Sequence, residues 1–253
     1  MKPFQDYIDK TVDFNVVEVL PLIHNTDALS FTSILTEGLI PHPCKVGNDT
    51  RNITCFFYGR PVYIPKERLK PRPDSFFVPV CLVVKPGIID LSAVYPTDTG
   101  AYTLNERMGE IFQGLDVELY RMEAEIDNIR AYIVNFFGSN KNYYHGKCDL
   151  SPQATAIDDI VRELFVEMLC DLDERLDGRN RAIEVHTENR YDLKNIVEFI
   201  IVPEYLLDKA VSLGSSIEVR TYNDYGGKNQ PQKSLVDKIE QMVEEYLTEK
   251  YLI

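Results

Sequence analysis

The sequence has no tryptophan, only four histidines and no CxxC pair among its five cysteines. Cys44, Cys55, Cys81, Cys148 and Cys170 are scattered, and an odd number in a chain of 253 residues reads as reduced thiols rather than a disulfide framework. No run approaches the roughly 18 apolar residues that span a bilayer, and the opening MKPFQDYIDK lacks a signal-peptide core. These absences predict a cytoplasmic protein with no membrane partner, in which the Asn-X-Thr triplets at Asn48 and Asn52 stay unmodified. A P-loop, a GxGxxG turn, an HExxH pair and any zinc-type Cys/His spacing are also missing, so local spacing predicts neither triphosphate nor metal chemistry.

Positive charge is scarce too. Against 40 acidic residues stand 27 lysines and arginines, a net charge of -13, which repels phosphate backbones and anionic lipid unless a basic face is concentrated somewhere. The densest basic stretch, Lys66 to Arg72, sets four cations against Glu67 and reads as a solvated loop. With 44% hydrophobic and 26% charged residues, the composition is otherwise that of an ordinary globular chain.

The pattern of elements predicts one mixed α+β domain over residues 1–253. Val16 to Ile23 reads as an apolar strand ending in a polar His24-Asn25-Thr26 tip, followed by a helix that Thr26 or Asp27 caps and Gly38 ends. Cys55 to Tyr58 reads as a short aromatic strand, and Phe76 to Val84 as a buried strand interrupted by Pro79. Tyr95 to Ala101 has the composition of a mobile loop. Periodicity then predicts a helix from about Val117 to Phe137 and a second that starts at Ser151-Pro152 and carries Ile157 through Leu172 on one stripe. Short strands follow at Ala182–His186, Val197–Val202 and Ile217–Tyr222, and a helix from about Lys233 to Tyr251 closes the chain.

Three places could carry chemistry. His24 ends an apolar strand beside Thr26 at a helix start, so both side chains could reach one cleft, although Thr26 alone reads equally as a cap. In Phe56-Phe-Tyr-Gly-Arg-Pro-Val-Tyr63, a Gly-Arg-Pro turn fixes Arg60 among aromatic faces, or else the aromatics are core and Arg60 is a surface residue. Glu184 sits among Ala182, Ile183 and Val185, where a carboxylate is costly to bury unless paired or functional, and alternation could instead turn it to water.

Taken in chain order, His24 and Thr26, Ser33-Ile-Leu with Gly38-Leu39, the FxxR of Phe57 to Arg60, Ala182-Ile-Glu-Val and VEFIIVPEY from Val197 resemble the motifs of the ADP-ribosyltransferase fold. The closest likeness is to the branch of the DarT toxins that modify DNA. The resemblance covers residues from about 20 to 208 and departs at the late strand, where Ile183 stands between Ala182 and Glu184. It implies small split antiparallel sheets with flanking helices and a helical insertion at about 105–178.

It further implies an NAD-consuming transferase that breaks the nicotinamide–ribose bond, in a toxin or phage-defence effector. Glu184 would stabilise the ribosyl cation, with Glu110 in reserve. His24, Asn25 and Thr26 would hold the ribose, Tyr58 or Tyr63 would stack on nicotinamide, and Arg60 would pair with the pyrophosphate or position the acceptor. The acceptor is open among protein, nucleic acid, small molecule and water, and the acidity favours the first, third and fourth. Two rival expectations are an inactive nucleotide-sensing module of the same fold and a partner-binding protein that uses its acidic helices.

Overall fold

Val80 to Val84 is an unbroken apolar run, and such a run suits a strand covered on both faces. It forms β4 (Pro79–Val84), with every residue buried. The computed structural model describes residues 1–62, 76–148, 150–152, 157–223, 232–251 and 253, so Tyr63 and the basic stretch Lys66–Arg72 lie outside the described residues. Pro79 does not interrupt β4 but opens it, a position where a missing N–H costs the ladder least. Its carbonyl accepts the Tyr222 hydroxyl at 2.5 Å.

β4 lies inside one mixed sheet in the order β5-β6-β3-β1-β4-β7-β8. The strands are β1 (Leu22–Asp27), β3 (Asp49–Tyr58), β5 (Ala93–Tyr95), β6 (Glu184–Thr187), β7 (Val197–Pro203) and β8 (Glu218–Tyr222). A further strand, β2 (His42–Val46), is a hairpin partner of β3. β7 and β8 run parallel, and the other pairs run antiparallel. The α+β class expected from the sequence is therefore observed, as one open sheet with helices against it. Among the described residues no helix is long and apolar enough to cross a membrane.

β1 pairs with β4 along its whole length, from Leu22↔Val84 to Asp27↔Pro79. It pairs with β3 only at Leu22↔Tyr58 and Ile23↔Phe57. Beyond Ile23 the two strands part. The strand expected at Val16 to Ile23 is thus displaced: Phe14–Val16 is a 3-10 turn, and the ladder with β4 draws His24, Asn25 and Thr26 into the strand itself. Asp27 then caps α1 (Ala28–Glu37) by accepting the Ser30 amide at 2.7 Å. Gly38 ends that helix at φ +79°, and a Cβ there would run into the Tyr191 carbonyl, which holds the Leu39 amide at 2.8 Å.

Short helices α2 (Thr99–Leu104) and α3 (Glu106–Phe112) lead into α4 (Ile126–Phe137), α5 (Asn140–Tyr144) and α6 (Ile160–Cys170). The single helix expected from Val117 to Phe137 is broken. Val117–Tyr120 is a 3-10 turn, and Met122 leaves the helical path to donate its amide to the Val94 carbonyl at 2.8 Å. That tertiary bond outweighs the apolar periodicity, and α4 starts only at Ile126. Gly138 terminates it in the left-handed region, as expected.

The second expected helix is also shorter, with a 3-10 turn at Ile157–Asp159 and α6 ending at Cys170. Leu172 lies beyond it, 89% exposed, so it does not extend the apolar stripe. Within α6, Phe165 is buried against Phe4, Tyr120, Tyr132 and Phe136, with ring centroids 4.6 to 6.3 Å apart. One continuous cluster of buried apolar residues joins this aromatic layer to the sheet.

After β6 come α7 (Leu193–Ile196) and α8 (Leu207–Val211), and α9 (Gln232–Tyr251) covers the β7 side. There Phe199 and Tyr246 stack at 4.3 Å. The late strands and α9 fall within two residues of the bounds that the sequence pattern predicts.

Candidate functional site

Where β1 and β3 separate, the space between them is a cavity of about 250 Å³. His24 and Asn25 line it from β1, His42 and Cys44 from β2, Cys55 and Phe57 from β3, and Val62, Asp98 and Arg179 complete it. Side chains alternate along a strand, so residues two apart share a face. The register Cys55↔His186 and Phe57↔Glu184 puts His186 and Glu184 on the same face of the sheet as the two cavity-lining residues.

Glu184 is 3% exposed, so the alternation that could have turned it to water turns it inward. One carboxylate oxygen accepts the Thr99 amide at 2.5 Å, and the other lies 3.0 Å from His186 Nε2. Burial by itself would raise its pKa, but the His186 imidazole and the Thr99 amide together outweigh burial and hold the carboxylate below the usual range. It is ionised at neutral pH. Although Nε2 is close to Glu184, neither ring nitrogen of the fully buried His186 has an aligned hydrogen-bond partner among the described residues. The 3.0 Å approach is an electrostatic contact rather than an aligned hydrogen bond.

His24 is fixed differently. Its Nδ1 lies 2.9 Å from the Cys55 carbonyl, and a carbonyl only accepts, so Nδ1 carries the proton. Burial lowers the imidazole's pKa, and nearby His42 adds to this against the opposing pull of the carbonyl. The neutral ring then keeps Nε2 as an acceptor. Asn25 donates to the Val62 carbonyl at 3.0 Å, while its buried Oδ1 has no donor among the described residues. Thr26 does not line the cavity, and it caps no helix, since Asp27 does.

The aromatic and arginine assignments need correction. Tyr58 is core: its hydroxyl accepts the Leu20 amide at 2.9 Å, and its carbonyl accepts the Tyr143 hydroxyl at 2.7 Å. Tyr63 lies outside the described residues, and Phe57 is the ring that lines the cavity. Arg60 is turned away from the cavity, donating to the Arg181 carbonyl at 2.8 Å with its guanidinium 6.0 Å from the Tyr143 ring centre. Arg179 is the cation at the cavity, held by two bonds to Asp177 at 2.8 and 2.9 Å. Glu110 is not in reserve, because it is on the surface of α3, bonded to Arg107 and Arg175.

The segment read as a mobile loop is instead a buried wall. Asp98 caps α2 by accepting the Ala101 amide at 2.9 Å, Thr97 donates to the Arg179 carbonyl at 3.3 Å, and Thr99 reaches Glu184. Burial, then repulsion by Glu184, pushes Asp98 up to about 6. A folded carboxyl with a raised pKa holds its proton while the unfolded one has lost it. Stability therefore falls as pH rises from about 4 to about 6, and the loss is complete above that window.

Asp98→Asn keeps the cap and removes this cost. The variant is expected to melt higher than wild type at pH 7, by at most about 3 kcal/mol, and to match it near pH 4. Equal melting at both values would mean that Asp98 is not strained by its neighbours.

Thiols complete the site. The Cys44 and Cys55 side chains hydrogen-bond each other, which lowers Cys44 to about 6 and, together with burial, raises Cys55. Cys55 Sγ, a Glu184 carboxylate oxygen and a His186 ring nitrogen all lie within 4.8 Å of one another. Nothing in the local spacing announces this group, since its members meet only through the β3–β6 register. The chain matches no family model, no curated protein and no solved structure.

Proposed function

We propose that the chain cleaves the nicotinamide–ribose bond of NAD and passes ADP-ribose to an acceptor, with the reacting end of NAD in the cavity between β1 and β3. The observation that carries this reading is a neutral His24 lining the cavity and a buried carboxylate, Glu184, which does not itself line it but stands on the sheet face of the lining residues Cys55 and Phe57 and is held by the amide of Thr99, next to the lining Asp98. Both residues belong to the motifs whose resemblance to ADP-ribosyltransferases first suggested the activity. At about 250 Å³ the cavity falls below the roughly 300–1,000 Å³ of a cleft that encloses a whole ligand, so it suits the nicotinamide riboside end alone.

In this mechanism the bond between ribose C1′ and nicotinamide nitrogen breaks, and its electron pair leaves with nicotinamide. Positive charge grows on the sugar, and Glu184, already desolvated and fixed by the Thr99 amide, stabilises it without reorganising. His24 Nε2 and Asn25 Oδ1 are acceptors for ribose hydroxyls, and the Phe57 ring packs against the nicotinamide face. Arg179 takes the role first given to Arg60, as the cation for the pyrophosphate. The acceptor's lone pair then bonds to C1′, and its proton is released.

Purified protein incubated with NAD tests the reading through nicotinamide release, followed with and without cell lysate. Release that requires lysate identifies a transferase, and release without it identifies water as the acceptor. No release in either tube, with no NAD binding, overturns the proposal.

A further inference from the structure

We propose that Cys44, Cys55, Glu184 and His186 form a binding site for one thiophilic divalent cation of the zinc class, whose arrival takes Glu184 away from NAD. Three of these donors already lie within 4.8 Å of one another, and Glu184 and His186 are 3.0 Å apart. Tetrahedral zinc with bonds of about 2.0 Å to N and O and 2.3 Å to S separates its ligand atoms by roughly 3.3–3.8 Å. Small side-chain rotations therefore close the site without moving a strand. Cys44, whose free thiol neighbours that of Cys55, supplies a fourth donor from β2.

An independent observation points the same way. His186 is fully buried on the face shared with Cys55 and Glu184, and both its ring nitrogens lack an aligned hydrogen-bond partner among the described residues. A buried imidazole in that condition is costly, and a metal bond to one nitrogen removes much of the cost. Two sulfurs, one imidazole and one carboxylate select zinc-like ions over magnesium or calcium, which take oxygen ligands. Cys55 lines the cavity, so the ion has a way in. Binding releases the thiol protons, and each thiolate donates a lone pair to the metal.

The metal site stands on this geometry alone, while the inhibitory consequence rests on the NAD reading above. Cobalt(II) is the probe, because thiolate ligation gives it a charge-transfer absorption. The reduced, metal-stripped full chain is expected to bind one equivalent of cobalt with that absorption. Cys55→Ser is expected to bind at least tenfold more weakly and with the absorption much reduced, since only the Cys44 thiolate remains. Cys170→Ser, altered at the separate Cys148–Cys170 thiol pair, is expected to keep it.

No absorption in the wild type, or undiminished absorption in Cys55→Ser, overturns the site. Should Cys55→Ser fail to fold, Cys44→Ser on the half-exposed neighbouring strand is expected to lose a large part of the intensity, and undiminished intensity there overturns it equally. Because NAD is absent from this titration, its outcome is separate from the fate of the NAD proposal. Zinc added to the nicotinamide-release assay is then expected to suppress turnover at least tenfold, reversibly by chelator. Unaltered turnover with zinc bound removes the inhibitory role.

Discussion

Replacing Glu184 with glutamine is expected to reduce nicotinamide release by about two orders of magnitude or more while NAD still binds. Glutamine has nearly the same shape and still offers a carbonyl to the Thr99 amide, so the change is confined to charge. A hundredfold loss corresponds to about 2.7 kcal/mol of transition-state stabilisation, the size expected when a fixed charge in a dry site is removed from a developing cation. The measurement is turnover beside an NAD binding isotherm. Thermal melting of the same variant separates lost chemistry from lost structure, since the carboxylate also contacts the buried His186. Turnover within a factor of a few of wild type, in a folded variant, would reject Glu184 as the cation stabiliser.

The largest expected loss of stability comes from Phe165→Ala. Phe165 is fully buried at the centre of the aromatic layer that joins Phe4, Tyr120, Tyr132 and Phe136. These four rings come from three separate stretches of chain, so they cannot all collapse into the vacated space. A cost of about 3–5 kcal/mol follows. At this chain length each kcal/mol moves the melting temperature by about 2–4 °C, so a drop of roughly 10 °C is expected in calorimetry or by circular dichroism. A shift of a degree or less would mean that the helical layer is not held on the sheet through this residue.

How much of this was legible depended on whether neighbours in sequence or neighbours in space decided the outcome. β7 was readable as an apolar run buried at every position but Glu198, and α9 because Leu235, Ile239, Val243, Tyr246 and Leu247 recur at helical spacing and are buried. The helix expected at Val117 to Phe137 failed at Met122, whose amide is claimed by Val94 from another element. Tyr95 to Ala101 looks like a loop because it is rich in small and polar residues. Those polar groups face inward, where Thr97, Asp98 and Thr99 bond to Arg179, Ala101 and Glu184.

Of the candidate site, the chain order of its motifs indicated His24, Asn25 and Glu184. Arg179, Asp98 and the thiols were missed. Arg179 lies in Gly178-Arg-Asn-Arg, where nothing separates it from the equally basic Arg181 until the cavity is seen. The Glu184–His186 pair did leave a signal, two polar residues at strand spacing within an otherwise apolar run. Its meeting with Cys55 left none, because cross-strand register between distant segments is not written in local spacing.

That same register ties the site to the order in which the chain can fold. Joining β6 to β3 closes the long loop from Tyr58 to Glu184, at an entropic cost of roughly 4 kcal/mol from loop length alone, whereas the β2–β3 hairpin closes almost at once. A transition state that defers such distant pairings is the cheaper one. His42, Cys44, Cys55 and Phe57 therefore come together on their hairpin, and Glu184 and His186 join them only when β6 docks. A nascent chain that has made only its first half carries every residue that lines the cavity except Arg179, and lacks the Glu184 and His186 that stand behind it.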